Sequence, residues 1–235
     1  MLYGIRVQLK MDIRSKTLLV TCYVVPLLFF AIMGGIFTSL MPEAKHTLIQ
    51  SMTVMGVSMG ALIGVPPSMI EVYSTDIKKM YIANGIPLCF GVIALVVSAF
   101  IHLMIMSIII FALAPIVFHA TIPSNIPLYF ITLALFVIVS LTISCVLGLA
   151  VKNQAKLTMY SQVVFLPSIM LSGIMFSAEL LPNFLESMGK LFPATWGYTL
   201  LIQKNIEVST FIPLVFILII SVFVSVQLLK KIRSE

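Results

Sequence analysis

Six long apolar stretches, none containing Asp, Glu, Lys or Arg, alternate with short polar connections along the chain: Thr17 to Leu40, Thr47 to Ile70, Ile86 to Phe118, Ile126 to Val151, Leu157 to Phe176 and Phe211 to Leu229. A helix crossing about 30 Å of hydrocarbon needs about 20 apolar residues, so the pattern predicts six membrane-spanning helices. The first run is too long for the apolar core of a cleaved signal peptide, and no small-residue cleavage motif follows it. It is expected to stay as the first span.

Two segments outside the runs carry patterns of their own. Between spans 5 and 6, residues 177–210 set Leu180, Leu181, Phe184, Leu185, Leu191, Phe192 and Trp196 among Glu179, Glu186 and Lys190. That is too apolar for a free loop and too interrupted to cross. Pro182 and Pro193 bracket its amphipathic part, which predicts a helical hairpin dipping into the outer leaflet with its backbone groups paired against protein. A surface helix lying on the bilayer is the alternative. In the first 16 residues Tyr3, Ile5, Val7, Leu9, Met11 and Ile13 alternate with polar residues, the template of a strand. A lone strand beside a membrane leaves its backbone unpaired, so an interfacial helix anchored by Arg6, Lys10, Arg14 and Lys16 is expected instead. The predicted class is an all-α polytopic membrane protein forming one domain over residues 1–235.

Composition excludes the other classes. Of 235 residues, 60% are apolar and 9% charged, against roughly 45–50% and 25% in soluble domains. The mean hydropathy of +1.16 is spread over the whole length, which rules out a soluble enzyme with an anchor, a disordered chain and a disulfide scaffold. Cys22, Cys89 and Cys145 are odd in number and lie in apolar runs, so they read as packing residues without metal spacing. The net charge is +6, and its placement is informative. Four basic residues precede span 1, two follow span 2 (Lys78, Lys79), two follow span 4 (Lys152, Lys156) and three follow span 6 (Lys230, Lys231, Arg233), eleven of the 14 Lys and Arg. The opposite side has Lys45, Lys190 and Lys204. The positive-inside rule makes both termini cytoplasmic in a multi-pass protein of the cell membrane.

Span 2 carries Gly56, Gly60 and Gly64 at four-residue spacing, a ridge that admits close approach of another helix, within the bundle or between subunits. Span 4 repeats the device with Ser140, Ser144 and Gly148. Pro66 and Pro67 must bend or end span 2. The loop beyond them runs through Glu71, Tyr73, Ser74, Thr75, Asp76, Ile77, Lys78, Lys79, Met80, Tyr81 and Asn84 to Gly85. Ser74 or Thr75 can cap a helix of two or three turns that Gly85 stops. Its readings are a docking element for a cytoplasmic partner or a solvated loop that sets topology.

Chemistry for an enzyme is missing. There is no G-x-x-x-x-G-K-[ST] phosphate loop, no G-x-G-x-x-G and no H-E-x-x-H. Ser172 and His102 are the one pair that could test an intramembrane protease, but their flanks fit no nucleophile motif, and His102 reads better as a satisfied core histidine. His46 and His119 fall outside the spans. No span holds the carboxylates with which ion-coupled carriers bind their driving ion, so energy for uphill transport would come from another chain.

Two stretches resemble the membrane subunits (permeases) of ABC type-2 transporters. One is Leu171, Ser172, Gly173, Ile174, Met175 and Phe176 followed by Leu181, Pro182, Leu191, Phe192, Pro193 and Trp196, with Ser177 where the family has proline and Trp196 where tyrosine is commoner. The other is Glu71, Thr75, Lys78, Lys79, Met80 and Ala83, with Asp76 where an apolar residue is common. The resemblance implies a half-transporter whose coupling helix, here Tyr73, Ser74, Thr75, Asp76, Ile77, Lys78, Lys79 and Met80, seats in a groove of a cytoplasmic ATPase. Two ATPase subunits would hold ATP and Mg²⁺, this chain holding no cofactor and no metal, and a second copy or a homologous permease would complete the path between faces of spans 2 and 5. An extracellular gate would comprise Ser172, Gly173, Phe176, Glu179, Pro182, Phe192, Pro193 and Trp196. Export is implied, and the charge-free spans with 15 Met suit an apolar or amphipathic substrate such as an antimicrobial peptide, a lipid-like molecule or a drug. The competing readings are an ion-coupled carrier or channel acting without an ATPase, and a membrane-embedded enzyme or scaffold.

Overall fold

The computed structural model describes residues 2–74, 76–175, 181–203 and 207–234, and among these the regular elements are helical. The chain opens with α1 (Leu2–Arg14). Its inward stripe is Gly4, Ile5, Gln8, Leu9 and Asp12, while Met11 and Ile13 are exposed. The alternation read along the sequence is therefore overridden by a three-to-four-residue helical stripe. Asp12 is buried, accepting hydrogen bonds from Gln8 Nε2 (2.7 Å) and from Ser98 Oγ.

Span 1 follows as α2 (Lys16–Leu19), a π-helical turn over Val20–Val24, and α3 (Val25–Leu40). A 3₁₀ turn over Pro42–His46 leads into α4 (Leu48–Met59), a second π segment at Gly60–Gly64, and α5 (Pro66–Tyr73). Pro66 and Pro67 do not end the helix. Helical backbone continues through Val65, and the π segment just before it accommodates the missing amide donors, as such bulges do. Next come α6 (Asp76–Ala83), α7 (Leu88–Phe118), α8 (Ile126–Ala150) and α9 (Gln154–Met170). The hairpin helices α10 (Asn183–Gly189) and α11 (Pro193–Ile202) precede α12 (Val208–Ser234).

Among the described residues five helical stretches are long and apolar enough to cross a membrane: Val20–Leu40, Leu48–Tyr73, Leu88–Phe118, Ile126–Ala150 and Val208–Ser234. The expected fifth of six is the exception. The Asn153 side chain accepts from Lys156 N (3.1 Å), which starts α9 in a polar turn earlier than expected. The helix then stops at Met170, before a turn in which Gly173 adopts φ +82°. The result is 17 residues, roughly 25 Å at 1.5 Å per residue.

The helix Leu48–Tyr73 is the hub, with 94% of its most apolar stretch buried. Its glycine ridge faces other helices of the same chain. A Cβ on Gly56 would meet Met106, one on Gly60 would meet Leu103 and Cys22, and one on Gly64 would meet Thr21 and Cys22. Spans 1 and 3 therefore lie directly against the hub's backbone, and its faces are not open to line a path between two copies. The corresponding ridge of α8 seats Gly148 on Met69 and on the Pro66 carbonyl.

Candidate functional site

The expected docking element is built by the end of the hub. Ser74 N–H closes α5 by donating to Ile70 O (2.8 Å), and α6 begins at Asp76 after the break. Thr75 lies outside the described residues. The far end of α6 is closed by a double bond across a left-handed glycine: Gly85, at φ +66°, donates to Ile82 O (3.1 Å) and Ile86 N–H reaches Tyr81 O (2.8 Å). This is the Schellman arrangement. Asn84 Nδ2 adds a bond to Met80 O (2.8 Å).

Two tyrosines, Tyr73 at the end of α5 and Tyr81 on α6, meet the start of span 3. The Tyr73 hydroxyl donates to Leu88 O (2.5 Å), and a Cβ on Gly91 would meet both that hydroxyl and the Tyr81 ring. Gly91 therefore opens the notch that lets α5 and α6 approach α7, a residue that sequence reasoning passed over. A glycine inside a long apolar helix was the available signal. What α6 presents outward is Ile77, Lys79, Met80 and Ile82, with Lys78 half-buried. Met80 is 62% and Ile82 52% exposed, an apolar surface with basic residues beside it, at a turn outside the spans.

The hairpin lies at the opposite end of the bundle, where Lys45 O also accepts from Thr121 N (3.0 Å) and His46 Nδ1 is 3.0 Å from Thr121 Oγ1. Ser172 is buried and donates to Ile169 O (2.8 Å), next to Gly173 in its left-handed turn. Pro182 caps α10, and Phe192 caps α11 with the buried Pro193 in its first turn. Pro193 keeps the seven-residue α10 from continuing, and the freed carbonyls are taken by α11: Trp196 Nε1 donates to Lys190 O (2.7 Å) and Thr195 Oγ1 to Gly189 O (2.6 Å). Gly197 sits on Phe136 and Tyr198 on Ser51 (3.2 Å), which buries α11 against α8 and α4. Phe176 and Glu179 lie outside the described residues.

His102 and Ser172 are not brought together. His102 Nδ1 is 2.8 Å from the Tyr23 hydroxyl, and Ser172 serves its own helix end. No protease dyad arises from them. Among the described residues no cluster of His, Cys, Asp and Glu could hold a metal ion.

The arrangement thus has a rigid, exposed turn at one end, a folded helical hairpin at the other, and a buried helix running toward both. The family model of ABC-2 type transporters matches residues 4–206, from α1 through the hairpin. The chain belongs to that family. It is an ABC-2 type permease, a multi-pass membrane protein and a transport component. Comparison with curated proteins gives no match. The permease's α6 lies in the matched region, as does its hairpin, whereas α12 follows it.

Proposed function

We propose that this permease forms half of an ABC exporter that moves an apolar or amphipathic substrate, an antimicrobial peptide, a lipid-like molecule or a drug, with a second copy or a homologous permease as the other half. Hydrolysis of ATP with Mg²⁺ on two separate cytoplasmic ATPase subunits drives it. The observation that carries the reading is α6: an exposed apolar and basic helix, closed at its end and tied through Tyr73 and Tyr81 to the start of span 3. A push on α6 reaches α7 through Tyr81 at the Gly91 notch, beside the Tyr73 bond that joins the hub to Leu88.

The charge distribution supports cytoplasmic termini, which places α6 on the ATPase side. α9 serves as the remaining span, with α10 and α11 as the re-entrant hairpin that gates the outer end. α9 also supplies the path. It buries one stripe, Leu157, Ser161, Phe165 and Ser168, and leaves Met159, Tyr160, Val163, Leu166 and Met170 exposed with Thr158 and Gln162 among them. Polar groups on an otherwise apolar face suit a surface shared between two halves better than one facing lipid tails.

Purification in mild detergent, with identification of what accompanies the chain by mass, tests the reading. The expected companion is a soluble chain with a phosphate-loop motif, one per permease, whose ATP hydrolysis rises with amphipathic substrates. A permease that purifies alone and transports in liposomes without ATP overturns it in favour of a carrier or channel.

A further inference from the structure

We propose that a groove between the α6–α7 turn and the end of α12 holds one anionic phospholipid, with its phosphate at Lys230 and Arg233. The groove encloses about 520 Å³, within the roughly 300–1,000 Å³ of small-ligand sites. One wall is the turn from Ile82 through Pro87 to the first residues of α7, Leu88 and Cys89; the other is α12.

The α12 wall is graded along its axis. Val226, Leu229, Lys230 and Arg233 line the groove, and their spacing of three and four residues places them in one stripe on that helix. The two apolar residues come first and the two cations last, one turn further toward the chain end. An amphiphile with an anionic head and an apolar body meets that order directly: the head reaches the cations while the chains run back along Val226 and Leu229. Among the described residues that line the groove none is Asp or Glu. α7 also starts in this groove with no side-chain cap, and the positive end of its dipole adds to the field of the two side chains.

The occupant is a lipid rather than a protein because of where the groove opens. Phe216, Ile219, Ile220 and Phe223 of α12 are all exposed, and only 11% of the helix's most apolar stretch is buried. The apolar half of the groove is continuous with this lipid-facing surface. Clusters of Lys and Arg at the end of a membrane helix attract anionic headgroups.

Cys89 makes the proposal testable, being exposed and in the groove wall while Cys22 and Cys145 are buried. The purified permease would be placed in nanodiscs of phosphatidylcholine with rising phosphatidylglycerol, and the rate of maleimide reaction at Cys89 measured, with Cys89→Ser as the blank. Phosphatidylglycerol is expected to protect Cys89 saturably, and Lys230→Gln with Arg233→Gln to raise the required fraction by on the order of ten- to thirtyfold. Both side chains are exposed, so the variant folds, and Lys152→Gln with Lys156→Gln is expected to keep the protection. Equal protection in phosphatidylcholine alone, or in both variants, overturns the proposal. Protection by free inorganic phosphate to the same extent makes the site one for a soluble anion and overturns it as a lipid site. Protection that requires an added ATPase subunit assigns the groove to that protein instead.

Discussion

At the scale of single residues, two glycines of this permease do opposite things. Gly60 is a matter of space: a Cβ there would press on Leu103 at less than van der Waals distance. Gly60→Leu should therefore destabilise the isolated chain by about 1–3 kcal/mol, the cost of overpacking a filled interior. The measurement is the thermal midpoint of the monomer in detergent, and an unchanged midpoint with a lost oligomer would transfer the ridge to a subunit contact. Gly85 is a matter of backbone: nothing lies within 4 Å of its missing Cβ, yet φ is +66°. Gly85→Ala should cost about 1–2 kcal/mol through conformation alone, loosening the end of α6. Substrate-stimulated ATP hydrolysis in the assembled complex should fall, and Gly85→Asn should restore part of it, because asparagine tolerates the left-handed region. Equal activity of Gly85→Ala and the parent complex would show that the α6 cap plays no part in coupling.

At the scale of elements, charge reversal of α6 is the direct test of its docking role. Lys78→Glu with Lys79→Glu should weaken copurification of the ATPase and steepen its loss with salt, since like charges at a partner surface repel. Full stoichiometry in the double variant would move the contact elsewhere. Most of the elements could be read from the sequence for a simple reason: a run of about 20 apolar residues has one stable solution in a membrane. The bounds of α7 and α8 accordingly fall within two residues of the runs at Ile86 and Ile126. The stop of α6 at Gly85 was equally legible, whereas Pro66 and Pro67, expected to bend or end span 2, lie within a helix that runs on to Tyr73. Illegible were features that depend on a distant partner. Asp12 is one: its partner Ser98 lies on a helix far along the chain. Gly91 stood out as a glycine inside an apolar run, but what it makes room for, Tyr73 and Tyr81, is set by the fold. The length of α9 was misread because Asn153 and Gly173 set its ends by local backbone chemistry, which a hydropathy count does not register.

At the scale of the whole molecule, burial is uneven in a useful way. The hub is wrapped by its own chain, α12 is bare on the side that meets lipid, and α9 shows a broad mixed face. If α9 lines the contact between halves, Val163→Cys in a chain whose native cysteines are replaced should form a disulfide across two copies on mild oxidation, while Phe223→Cys on α12 should not. The reverse outcome would move the contact to α12. α1 runs beside α7 from Gly4 against Phe90 to Asp12 at Ser98, partners 86 residues apart at both points. A ribosome adds roughly 5–20 residues per second, so the amino-terminal segment is made several seconds before anything exists for its carboxylate to pair with. Spans 1 and 2 are then made before α1 has its partner, and its docking becomes a late event in biogenesis that registers the arrival of the third span.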